Sequence, residues 1–277
     1  MEYRVEHVTR YRYTEQVTLC HNRAHLTPRQ DGGQRLVTHD LSVRPEPTHM
    51  ERFVDGFGNA VHYFELHEPH DELVITARFR VVRQTPADRG LAGETPPWEQ
   101  VGVDREGGLA PVGFERVFAH DSPLVRRNAA LAALALPSFT PGRPILDAAR
   151  AFNVWIHQNF RYQPGATTVA TPLESVLSAR AGVCQDFAHV AVGALRSLGL
   201  CARYVSGYLE TRPPPGAGAV AGCRCLPCLV LPVRAHPGLG GFRSHQRCHA
   251  GQRPPGAGGG TGLCRCPPGE RGGHRRA

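Results

Sequence analysis

Arg180-Ala181-Gly182-Val183-Cys184-Gln185-Asp186-Phe187-Ala188-His189 opens as a turn and continues with a helical period to Leu198, where Gly199 stops it. That passage puts Cys184 in the first turn of a helix. The N–H groups there lack intrahelical partners, and the helix dipole is positive. Both effects favour a thiolate, and helix starts are known sites of acidic cysteines. Gly182 is expected to permit the sharp backbone entry, leaving the Cys184 amide to help bind an oxyanion. The plain alternative is a buried structural thiol, since cysteine is among the residues most often fully buried. Position alone leaves both readings open.

Outward from this stretch the chain alternates helix signals and breaks. Thr171-Pro172-Leu173-Glu174 reads as a helix start, with hydroxyl at the N-cap, proline at the first position and glutamate at the third. Upstream, Phe160 to Gly165 ends a helix from about Pro144 to Asn159, whose apolar stripe is Ile145, Ala149, Phe152, Trp155 and Ile156. An earlier helix is expected from Leu124 to Leu136, capped by Ser122-Pro123 and stopped by Pro137. Downstream, Cys201 to Leu209 reads as a strand, with Cys201 as apolar filling.

Residues 2–83 have a different period. Tyr3, Val5, His7, Thr9, Tyr11 and Tyr13 recur at every second position. Asp55-Gly56-Phe57-Gly58-Asn59 is a turn between extended runs, and Ala60–Leu66 and Leu73–Val82 follow as strands. This is the pattern of an antiparallel, sandwich-like domain. The proline- and glycine-rich stretch 84–113 reads as a linker or long loop. The expected fold class is therefore α+β. A β domain (1–85) is followed by a linker (86–113), an incomplete α+β core (114–216) and a disordered C-terminal tail (217–277).

The ordered series Tyr162-Gln-Pro-Gly165, Thr171-Pro-Leu-Glu174, Gly182-Val-Cys-Gln-Asp-Phe-Ala-His189, Leu195-Arg-Ser-Leu-Gly199 and Ala202-Arg-Tyr-Val-Ser-Gly-Tyr208 resembles the core of the bacterial transglutaminase-like family. Tyr3, Tyr11 and Tyr13, with Leu26-Thr-Pro-Arg29 and Asp55-Gly-Phe-Gly-Asn59, resemble the β domain that precedes that core. The resemblance implies a papain-like core in which a cysteine at a helix start faces a His and an Asp on neighbouring strands. It implies acyl transfer or amide hydrolysis through a thioester, a protein or peptide amide substrate and no cofactor. Cys184 takes the nucleophile position. Tyr162 and Gln185 are the candidates to assist the oxyanion, and Asp186 to support the helix start by complementing its dipole. His189 lies about 140° around the helix from Cys184, so it is expected to pack or orient rather than reach the sulfur. Arg203 and Tyr208 are candidate cleft residues that serve equally well as structure.

The family continues with Gly-x-Asp-Ala-Ser-His-Ala-Trp, the source of its catalytic His, and later Asp-Pro-Thr-Asn, the source of its Asp. Neither string occurs here. Yet Gly222 to Val233 can be encoded so that reading from the second base gives Gly-Ala-Asp-Ala-Ser-His-Ala-Trp-Phe-Ser-Leu-Tyr. Arg243-Ser-His-Gln246, shifted the same way, gives Asp-Pro-Thr-Asn. Both missing motifs thus lie in one alternative frame at the family's separation. Residues from about Ala217 are expected to be out-of-frame translation, which leaves a chain without its base and orienting acid. His236, His245 and His249 are nearby, but no motif places them.

Composition agrees with a tail of different origin. Nine of the 32 basic residues and one of the 24 acidic ones lie from Ala217 onward, so the rest of the chain balances and the formal +8 belongs to the tail. Arginine runs are expected from a shifted GC-rich frame, and no nucleic-acid partner is expected. Six of nine cysteines lie there too: Cys223, Cys225, Cys228, Cys248, Cys264 and Cys266. Their spacing departs from that of a zinc ribbon, and no metal is expected. Cys20, Cys184 and Cys201 read as reduced thiols. No run approaches the ~18 apolar residues of a membrane span, and the N-terminus lacks a signal pattern. A cytoplasmic thiol enzyme with no membrane partner is the expectation. The competing reading is a non-catalytic scaffold that acts through its β domain.

Overall fold

The computed structural model describes residues 1–30, 33–83, 95–101, 113–168 and 170–208, with two dipeptide strands at 230–231 and 242–243. The chain divides into two compact units, the first within Met1–Ala87 and the second within Asp88–Thr261.

The first unit is antiparallel β. Strand β1 (Glu2–Val17) alternates exposed and half-buried residues, as its period-two sequence requires. It pairs with β6 (His70–Arg83), which lies between β1 and β3 (Gln34–Arg44). The central strand turns Leu73, Ile75, Ala77, Phe79 and Val81 inward. A second sheet has the order β2-β5-β4, from Cys20–Ala24, Ala60–Leu66 and His49–Val54. Its middle strand β5 buries Val61, Phe64 and Leu66. Residues of both sheets meet in one core of Ala24, Val43, Phe64, Leu66, Leu73 and Ile75, flanked by Tyr11 and Tyr13. The turn between β4 and β5 is as read. The Asp55 carboxylate accepts from the Phe57 and Asn59 N–H groups at 2.9 and 2.8 Å, and Gly58 has φ +74°.

The second unit is helical around its own core. It contains α1 (Ala129–Ala135), α2 (Ile145–Asn159), α3 (Leu173–Ala179) and α4 (Cys184–Ser197). A two-residue parallel pair joins β7 (Arg161–Tyr162) to β8 (Ala181–Gly182). Two dipeptide strands, β9 (Val230–Leu231) and β10 (Phe242–Arg243), pair antiparallel. The rest of 217–277, with its cysteines and histidines, lies outside the described residues.

An edge-to-face and stacked series of rings runs through this core: Trp98, Phe139, Phe152, Trp155, Phe160 and Phe187. A Cβ added to Gly193 of α4 would come within 2.9 Å of Leu131 on α1 and 3.1 Å of Val125 in the segment before it. Gly193→Val should therefore cost about 1–3 kcal/mol by overpacking. Urea unfolding checks this, and an unchanged midpoint would contradict the close approach.

Several boundaries differ from the sequence reading. The helix expected from Leu124 begins at Ala129, because residues 122–128 find other partners. Ser122 and Val125 bond each other's backbones, the Arg127 N–H reaches the Asp121 carboxylate at 3.0 Å, and Asn128 caps the helix by accepting from the Leu131 N–H at 2.8 Å. Helix α3 has no side-chain cap, since the Thr171 hydroxyl accepts from the Thr168 N–H at 2.8 Å instead. Residues 201–208, expected as a strand, have irregular backbone, with the Ala202 N–H donating to the Phe118 carbonyl at 3.0 Å, and Leu209 lies outside the described residues. Part of the expected linker is core: Trp98 and Val101 are buried, and the Trp98 indole donates to the Thr140 carbonyl at 3.0 Å.

Candidate active site around Cys184

Cys184 is the first residue of α4, half-buried, and a thiol like Cys20 and Cys201. Val183 precedes it in extended backbone, at φ −110° and ψ 175°. The entry turn is held by Asp186, which is buried at 6% exposure. Its Oδ2 accepts from the Val183 N–H at 2.7 Å and from the Thr167 hydroxyl at 2.6 Å. One carboxylate oxygen thus fastens the residue before Cys184 and ties Thr167 to the same point. A carboxylate in the first turn also complements the helix dipole. These hydrogen bonds, which spacing alone did not reveal, tie Asp186 to the entry turn of α4.

Gly182 has a steric reason to be glycine. A Cβ there would lie 2.5 Å from Asp186 Oδ2 and 3.0 Å from its Cβ and Cγ. Positive φ is found instead at Arg180 (φ +45°), which ends α3 in the left-handed conformation. The expectation that Gly182 serves backbone entry is thus replaced by a need for space beside a carboxylate.

Tyr162 stands beside this turn in register with Gly182, and the Gln163 N–H donates to the Gly182 carbonyl at 2.8 Å. Tyr162 is 46% exposed, and Gln185 is half-buried directly after the cysteine. Tyr162 thus lies across from Gly182, two residues before Cys184, and Gln185 and Asp186 follow the cysteine in the first turn of α4. His189 packs against Tyr204, with ring centroids 5.6 Å apart. Burial lowers its pKa, the Asp186 charge opposes that, and Arg196 adds to it. Arg203 lies over the Phe118 ring at 5.5 Å, and Tyr208 is half-buried. The buried Arg196 pins the following segment, donating to the Ala202 carbonyl at 2.9 Å and the Ser122 hydroxyl at 3.0 Å. Thr167 and Tyr204 were not expected at the site. Thr167 lies outside the quoted series and Tyr204 had no role assigned within it, so only the folded chain brings them to Asp186 and His189.

The other core thiol differs in kind. Cys201 is 4% exposed, and burial pushes its pKa up to about 11. Iodoacetamide at neutral pH should therefore modify Cys184 at least tenfold faster than Cys201. Peptide mapping over a time course measures both rates, and equal rates would refute the contrast. Among the described residues no group of three or more His, Cys, Asp or Glu side chains could hold a metal. No helix among them is long and apolar enough to cross a membrane.

Comparison with known proteins bears on both units. Residues 3–82 match the family described as the bacterial transglutaminase-like N-terminal region, and residues 133–236 match the transglutaminase-like superfamily. An uncharacterized protein of Mycobacterium tuberculosis is 42% identical over 223 residues, covering 79% of this chain and 69% of the relative. One from Mycobacterium leprae is 33% identical over 214 residues, covering 76% and 71%. A crystal structure from Cytophaga hutchinsonii, described as that of a candidate cysteine protease, superposes with a TM-score of 0.58 at 24% identity. It covers 75% of this chain and 67% of the other. At that identity the likeness is one of fold.

Proposed function

The chain belongs to the transglutaminase-like superfamily, and from that premise we propose that Cys184 is the nucleophile of a thiol site for acyl transfer or amide hydrolysis, carried here in incomplete form. The thiolate attacks an amide carbonyl carbon, and the carbonyl π electrons move onto oxygen. Collapse of that intermediate expels the amine and leaves a thioester on Cys184. An amine or water then takes the acyl group and returns the thiol. A His is needed to accept the thiol proton and pass it to the leaving amine, and an Asp to orient that His. The chain has no residue in the family's motif for either, so slow turnover follows. The frame shift beyond about Ala217 is the reading that accounts for the loss. Protein or peptide amides are the substrate class proposed.

The observation that carries this reading is a half-buried thiol at the first residue of a helix, with its entry turn fixed by a buried carboxylate. Acylation by an activated ester needs little help from a base, so it isolates the nucleophile from the missing partners. Incubation with a p-nitrophenyl ester should leave an acyl adduct on Cys184, located by mass mapping and absent in Cys184→Ala. An adduct elsewhere, or none, in a chain that retains its fold would favour the scaffold reading.

A further inference from the structure

We propose that His39 and His62 form an acid-sensitive latch in the N-terminal β domain, closed while both imidazoles are neutral and released when they take up protons. The two side chains come from different sheets, His39 from β3 and His62 from β5. Their rings stack with centroids 5.4 Å apart and planes 24° apart. Phe79 of β6 stacks on His39 as well, at 6.4 Å. His62 is only 8% exposed, and its buried Nδ1 has no hydrogen-bond partner. The Nε2 of His39 lies 3.3 Å from the Thr27 hydroxyl.

The surroundings offer little to a second or third positive charge. Arg52 of β4 sits opposite His62 in the sheet and acts on both rings. Asp40 on β3 and the Leu26 carbonyl favour protonation of His39, and they are outweighed. His7 of β1 is partly buried in the same unit, in contact with the Thr9 hydroxyl, and burial lowers its pKa too. For His62 burial is the largest cause, followed by His39 and Arg52, and all three depress it. The folded values of the pair thus lie below the ordinary 6.5. The unfolded chain therefore binds these protons first. Stability is fully present above that value and is lost as pH falls through it towards the folded values. Two like charges in stacked rings, beside an arginine and with the His62 ring buried, would drive the sheets apart.

Amide hydrogen exchange on the full chain tests this in peptides covering β3 and β5, at pH 7.5 and pH 5, corrected for the intrinsic exchange rate. Protection should fall measurably at the lower pH, since the unfolded chain takes up protons that the folded pair resists. In the double variant His39→Phe and His62→Phe, which keeps the rings and removes the charges, protection should hold. Equal protection of the natural chain at both pH values would overturn the latch. So would an equal loss in the double variant. Should that variant fail to fold, the natural chain decides the matter by NMR titration of the His62 ring. A midpoint below 6.5 supports the latch, and one at or above it defeats it.

Discussion

Restoring the reading frame over residues 217–277 should raise Cys184-dependent turnover of an amide substrate by about 10⁴-fold or more. The restored segment would supply a His to take the thiol proton and an Asp to hold that His. The members of such a triad act as a unit, so a nucleophile without its base retains only residual catalysis. The comparison needs three proteins: this chain, the restored chain, and the restored chain with Cys184→Ala. The first and third should be nearly inactive, and the second should turn over. Equal rates for this chain and the restored one would end the proposal that the missing motifs matter. An intact frame on resequencing the locus in a second isolate would remove the frame-shift explanation, and the first comparison would still stand.

Gly182→Ala should cost about 2–4 kcal/mol of stability in the helical unit and slow alkylation of Cys184 at least tenfold. The new methyl group would overlap Asp186 Oδ2, and that oxygen carries the hydrogen bonds from Val183 and Thr167. Moving the carboxylate weakens hydrogen bonds from two part-buried donors to a charged acceptor, each worth about 1–2 kcal/mol at that exposure. Asp186→Asn separates shape from charge, since an amide of the same outline still offers both donors one oxygen, now uncharged. It should fall between the natural chain and Gly182→Ala in both readouts. Urea unfolding gives the first quantity, and labelling rates across pH give the second. A Gly182→Ala protein with unchanged stability and unchanged labelling would show that the turn does not depend on that carboxylate.

Where the signal is local, the sequence was enough. A Gly-Val-Cys turn followed by apolar residues at helical spacing placed the start of α4 at Cys184, where it is found. The alternation from Tyr3 to Tyr13 likewise located β1. What escaped was set by partners distant in sequence. Thr171 has the right chemistry for a cap, but Thr168 engages its hydroxyl. Ser122-Pro123 resembles a helix start, but Asp121 and Ser197 hold the following backbone off until Asn128. Gly182 was read through its backbone freedom, whereas the space beside Asp186 requires it. Trp98 was hidden among prolines and glycines, and only packing reveals it as core. Cys184, Gln185 and Asp186 could be named together as candidates because they are contiguous. Thr167 comes from a position that no periodicity marks, and Tyr204 from an expected strand whose pattern did not point to His189.

The series of rings through the second unit has an optical consequence. Both tryptophans of the chain, Trp98 and Trp155, belong to it, and the first unit has none. Emission excited at the red edge of indole absorption therefore reports one half of the molecule without interference from the other. The series ends at Phe187, three residues beyond Cys184, so the same signal can register what a covalent adduct on that sulfur does to its neighbourhood.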